Sequence, residues 1–139
     1  MRYIFFILIL VSCSDQKTYR VRINSMDPET KITSEKIVEF NAPSDSSAFK
    51  AGCSNYWSQK ASVLEINKTF EGSPGYPVMP IPFYFSVESK NGSPVTFSKE
   101  EAERLTFATV NYYQTRVIPF IDTIIPIAKK PKSEPAKIY

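Results

Sequence analysis

Tyr3 to Val11 is an uninterrupted apolar run of nine residues behind a single cation, Arg2, and it limits what the rest of the chain can build. About 20 apolar residues are needed to cross roughly 30 Å of hydrocarbon, so the run is too short for a permanent span. A positive start followed by a short apolar stretch is the pattern of an export signal. The folded body is therefore expected from the residues that follow. The whole chain has 139 residues, the usual size of one domain. With 42% hydrophobic and 14% aromatic residues against 22% charged, it can bury a core.

The run closes on Leu10-Val11-Ser12-Cys13. These residues resemble the lipobox of bacterial lipoprotein precursors, in which a Leu and small residues precede a modified Cys. The resemblance covers residues 1–13 and assigns nothing to the body of the chain. It implies a diacylglyceryl group on the Cys13 sulfur, cleavage between Ser12 and Cys13, and acylation of the new amine, with palmitate among the chains carried. Two or more acyl chains make membrane attachment durable where one is marginal. Ser14, rather than Asp, resembles the pattern released to the outer membrane. With the body read from its own residues, the expected organisation is a signal peptide at 1–12, a lipidated tether at 13–17, an α+β domain at 18–128 and a basic Pro/Lys-rich tail at 129–139. The implied address is the bacterial cell envelope, with the membrane as a partner through the acyl chains on Cys13.

Charge and residue inventory narrow the chemistry. Without the leader, 16 Lys and Arg stand against 14 Asp and Glu, and Lys129, Lys130, Lys132 and Lys137 concentrate the excess in the tail. No basic face spans the domain, which sets nucleic acid aside as a partner. The tail reads as a solvated terminus, with contact to anionic lipid as the alternative. The chain contains no His, so Ser-His-Asp triads, Cys-His dyads and the usual His-containing zinc sites are absent. No metal site, cofactor or catalytic residue is expected. Lipidation of Cys13 leaves Cys53 as the one free thiol. Phe49, Cys53, Tyr56 and Trp57 fall on one helical stripe, so Cys53 is expected in the core.

Along the body, Tyr19, Val21 and Ile23 alternate with Arg20, Arg22 and Asn24, and Val38 and Phe40 alternate with Ile37 and Glu39. Separated by Asp27-Pro28, these segments predict a hairpin. The Ser/Asp cluster at 44–47 supplies N-caps for a helix that buries the Phe49 to Trp57 stripe, weakened a little by Gly52. SVLEINKTF, with Leu64, Ile66 and Phe70 on one face, reads as a return to strand, although Leu64 also fits the end of the helix. The sequon at Asn67 is too common to carry meaning. Phe83, Phe85 and Val87 are expected inward on a strand that turns at Asn91-Gly92 to pair with SPVTF. Ser98 and Glu101 form a capping box for a second helix carrying Ala102, Leu105, Thr109 and Tyr112. Its β-prone continuation TFATVNYYQTRVI predicts an early stop and passage into a strand before Pro119, and IPFIDTIIPIA, bracketed by Pro119 and Pro126, a last edge strand. The expected fold class is α+β, a mainly antiparallel sheet with two helices packed on one face, in a single small domain.

The prolines at 74, 77, 80 and 82 interleave with apolar residues in an extended loop. That loop presents Tyr76 and Met79 as binding residues, because Pro lowers the entropy lost on association and aromatics and Met are enriched at interfaces. The alternative is a loop folded back over the sheet. Tyr112 and Tyr113 are the second aromatic pair singled out. The expected role is a non-catalytic binding or interaction module with an envelope protein as partner. Two alternatives stand beside it. One is a glycan-binding lipoprotein using Trp57, Tyr76, Tyr84 or Tyr113. The other is an envelope hydrolase built on Glu100, Glu101 and Glu103, residues that helix capping and the helix dipole already explain.

Overall fold

The computed structural model describes residues 15–126, so Cys13, the expected signal peptide at 1–12 and the basic tail at 129–139 lie outside the described residues. Strands β1 (Lys17–Met26) and β2 (Thr33–Ala42) form the expected hairpin, in register from Lys17 opposite Ala42 to Met26 opposite Thr33. The connection is set by Asp27, whose carboxylate accepts the backbone N–H groups of Glu29 and Thr30, while Lys31 takes a left-handed φ of 62°. Those two N–H groups hold the Asp27 carboxyl below its ordinary range.

Helix α1 (Asp45–Thr69) then crosses back, and β3 (Ile81–Ser89) pairs antiparallel with the other edge of β1, giving the order β2-β1-β3. Alternation on the central strand produces two unlike faces. Tyr19, Val21 and Ile23 are buried, with Ala42 and Val87 from the flanking strands, under the α1 residues Ala48, Cys53 and Tyr56. On the open face Arg20 pairs with Glu39 at 2.9 Å, and Arg22 bridges Glu35 and Glu88 at 3.0 Å each. The Arg22 hydrogen bond holds the Glu88 carboxyl low. Exposed pairs of this kind contribute about 0–1 kcal/mol apiece, so the apolar face carries the fold.

The α+β class is as expected, a three-stranded antiparallel sheet with two main helices in one small domain. Several local expectations are corrected. SVLEINKTF is not a strand: α1 runs on through it to Thr69, because Lys60, Ala61, Leu64, Glu65 and Lys68 are strong helix formers that outweigh Val63, Ile66 and Thr69. SPVTF gives one isolated bridge, Glu88 with Pro94, instead of a strand, since Pro94 has no N–H to extend the ladder. Val95 and Phe97 still pack inward, Phe97 with its ring 5.2 Å from that of Phe49.

Phe83 is half-exposed rather than inward. The register shifts at Asn24/Ser25, so Tyr84 pairs with Asn24 and Pro82 with Ser25, which leaves Phe83 as the extra residue of a bulge. No final edge strand forms either. Helix α2 (Lys99–Tyr112), capped by Ser98 as expected, continues through a π-helical turn (Tyr113–Val117) into α3 (Ile118–Asp122). The wide turn lets Pro119 sit at the start of a new helical segment, where its missing N–H costs little.

The two halves of the helix layer meet the sheet differently. Gly52 lies so close to β3 that an added Cβ would stand 2.6 Å from a Val87 methyl. Its small size therefore permits the helix-to-sheet contact, which outweighs its poor helix propensity. Cys53 is buried as expected, and burial pushes its thiol up to about 11. Tyr19 donates from its hydroxyl to Asp45 Oδ1 at 2.7 Å in the first turn of α1; that bond, then burial, raises the phenol to about 12. No helix among the described residues is long and apolar enough to cross a membrane.

Candidate functional site: an apolar cleft under the proline-rich loop

Where α1 runs past the covered part of the sheet, its apolar side faces a loop instead. The helix ends with Phe70 N–H donating to the Ile66 carbonyl at 3.0 Å, and Ser73 N–H to the Phe70 carbonyl at 2.9 Å. Gly72 and Gly75, at φ 71° and 82°, supply the left-handed steps that reverse the chain. Tyr76 then returns onto Phe70, with ring centroids 4.1 Å apart and planes within 7°.

The loop is tied down a second time at Met79. Asn67 Nδ2 donates to the Met79 carbonyl at 3.0 Å and Met79 N–H donates to Asn67 Oδ1 at 2.8 Å, so one side-chain amide satisfies both backbone groups as a neighbouring strand would. With Pro74, Pro77, Pro80 and Pro82 restricting the backbone, the segment touches the helix end at these two places and leaves the space beside them unfilled. A cleft of about 720 Å³ results. Its floor includes Leu64, Phe70, Val78 and Ile121. Pro28 and Glu29 close it from the β1–β2 turn, and Asp122 from α3.

The carboxylates of Glu29, Glu71 and Asp122 line this cleft against one cation, Lys68, and Lys68 Nζ is 3.5 Å from Glu71 Oε2. Lys31 sits two residues beyond Glu29 and gives its ammonium to the Pro28 carbonyl at 2.7 Å. Such an arrangement can hold an apolar group below a cationic one. Among the described residues no group of three potential metal ligands occurs.

The residues singled out from sequence divide between two places. Tyr76 lines the cleft, with 57% of its surface exposed, and Met79 stands at its margin, anchored through its backbone. Tyr112 and Tyr113 take no part in it. Tyr113 stacks on Trp57 at 5.9 Å, and Tyr112 meets Tyr113 edge-on at 5.3 Å. Lys60 Nζ lies 5.3 Å above the Trp57 ring. The Trp57 indole is thus engaged at the edge of the core. Glu101 and Glu103 lie beside Arg104 and Lys99, at 3.8 and 4.0 Å, on the first turns of α2.

Sequence reasoning missed the cleft's other walls. Phe70 reads as a strand residue, Asn67 as an incidental sequon, and Glu29 and Asp122 each lie at least 40 residues from the loop in sequence. Tyr76 and Met79 carried the usable signal, apolar residues interleaved with prolines. Comparison with protein-family models, characterised proteins and solved structures finds no match to this chain.

Proposed function

We propose that the protein is a lipid-anchored component of the bacterial cell envelope, held at the outer membrane by acyl chains on Cys13, and that its role is to bind a partner rather than to catalyse a reaction. The observation that carries the binding reading is the cleft beneath the proline-rich loop, propped open by the Asn67–Met79 pair and the Phe70–Tyr76 stack. A site whose walls are already fixed loses little entropy when it is filled. The anchoring reading rests on the sequence of the leader and on Leu10-Val11-Ser12-Cys13. Glycan binding is the second reading. It is supported by the exposed rings of Tyr76 and Tyr84 and weakened at Trp57, which Tyr113 and Lys60 already engage.

Metabolic labelling with palmitate in a bacterial host tests the anchor. Wild type is expected to incorporate label into the membrane fraction, and Cys13→Ala to lose it. Equal incorporation by both would remove the anchoring reading.

A further inference from the structure

The cleft has a direction relative to the tether. Cys13 lies four residues before Lys17, the first residue of β1, whereas the cleft is closed by Pro28 and Glu29, just beyond the last residue, Met26. Ten strand residues at about 3.3 Å each place these two poles roughly 33 Å apart. A protein tethered through Cys13 therefore carries its cleft at the end of β1 opposite the one its tether enters.

The lining describes what the cleft can hold. Leu64, Phe70, Val78 and Ile121 offer an apolar floor, while carboxylates approach from three separate elements: Glu29 from the β1–β2 turn, Glu71 from beyond α1, and Asp122 from the end of α3. Lys68 answers only Glu71, and no ion pair to Glu29 or Asp122 is found among the described residues. A single small cation cannot meet carboxylates on three walls, whereas an extended chain can, lowering an apolar side chain to the floor and setting basic ones on the rim. The volume of about 720 Å³ suits a few residues of such a chain. Complementary charge also speeds encounter and rejects acidic competitors.

We infer that the cleft takes an extended basic segment of a partner polypeptide, with Lys or Arg flanking an aliphatic or aromatic residue, and presents it on the side away from the anchoring membrane. This rests on the binding reading and names the partner's chemistry.

A random dodecapeptide display library panned against the full lipidated chain in zwitterionic phosphatidylcholine vesicles, which hold no net charge for basic clones, tests it. Clones are expected to carry at least two Lys or Arg around an apolar residue. Their affinity, measured by fluorescence anisotropy, should fall at least tenfold in the Glu29→Lys/Asp122→Lys double variant. Both positions are exposed, so the variant should melt with wild type, and circular dichroism checks this. Neutral or acidic clones that still lose affinity in Tyr76→Ala would overturn the basic-peptide inference and keep the cleft as a binding site. Failure to obtain any clone sensitive to Tyr76→Ala would remove both.

Discussion

The two halves of α1 share one helical geometry and meet different surroundings. From Ala48 to Tyr56 the helix lies against a sheet whose inward residues alternate in register, and the fit is close enough that Gly52 leaves no space for a methyl group. From Leu64 to Phe70 the helix end instead faces a proline-rich loop that is pinned at two points, and the space between stays open. An amphipathic stripe thus specifies burial only where its opposite surface can close upon it. Where it cannot, the stripe becomes the floor of a site.

Substitutions should separate the halves. Tyr56→Ala removes a buried ring packed on Phe85, together with a hydroxyl that donates to the Pro82 carbonyl, and is expected to cost about 3–5 kcal/mol in urea unfolding. Gly52→Ala should cost about 1–3 kcal/mol despite improving helix propensity, since Val87 is a stiff β-branched core residue and overpacking exceeds the propensity gain. A more stable Gly52→Ala variant would mean that the helix can lift from β3 without loss.

In the open half, Asn67→Ala is expected to cost about 1 kcal/mol by leaving two backbone groups of Met79 without their partner. Limited proteolysis between Gly72 and Met79 should accelerate even where the melting temperature changes little. An unchanged cleavage rate would show that the Phe70–Tyr76 stack alone holds the loop. Leu64→Asn should alter stability least, because Leu64 is only partly buried. It should nevertheless weaken peptide binding, and the reverse pattern would place Leu64 with the core.

The closed half also has a pH signature. Cys53 and Tyr19 have folded values raised to about 11 and about 12, so their contributions are present in full below the ordinary thiol and phenol ranges. Stability should fall from about pH 9, as the thiol ionises in the unfolded chain, until pH passes the folded value near 11. The Tyr19 effect follows between about 10 and 12. Urea midpoints measured against pH should therefore turn downward near 9 in wild type and near 10 in Cys53→Ala. An identical onset in both would deny that Cys53 is the first group to respond.

Much of the closed half was legible in sequence, and physics explains the division. Alternation along Tyr19–Ile23 and the Asp27-Pro28 connection specify the hairpin, Ser44 and Ser98 mark both helix starts, and the stripe from Phe49 to Trp57 marks the buried side of α1. The open half was harder. Val63, Ile66, Thr69 and Phe70 have strand-like preferences, and only the helix already running through Ala61 carries them along. The bulge that turns Phe83 outward depends on pairing with Asn24 and Ser25, which no local pattern encodes. At the site, Tyr76 and Met79 were visible because prolines expose what lies between them. Glu29 and Asp122 were not, because folding alone brings their elements to the loop.

The π-helical turn governs that last meeting. Leu105, Thr109, Tyr113 and Val117 are partly covered and Ile121 is buried, at intervals of four residues, whereas a regular helix advances about 100° per residue and would carry such a series about 160° off azimuth over four steps. One wide turn at Tyr113–Val117 absorbs part of this drift. Excising a single residue there would rotate everything downstream like an overtightened screw, swinging Ile121 off the core and Asp122 off the rim, so the aim of the cleft is set by a phase correction made a full turn before it.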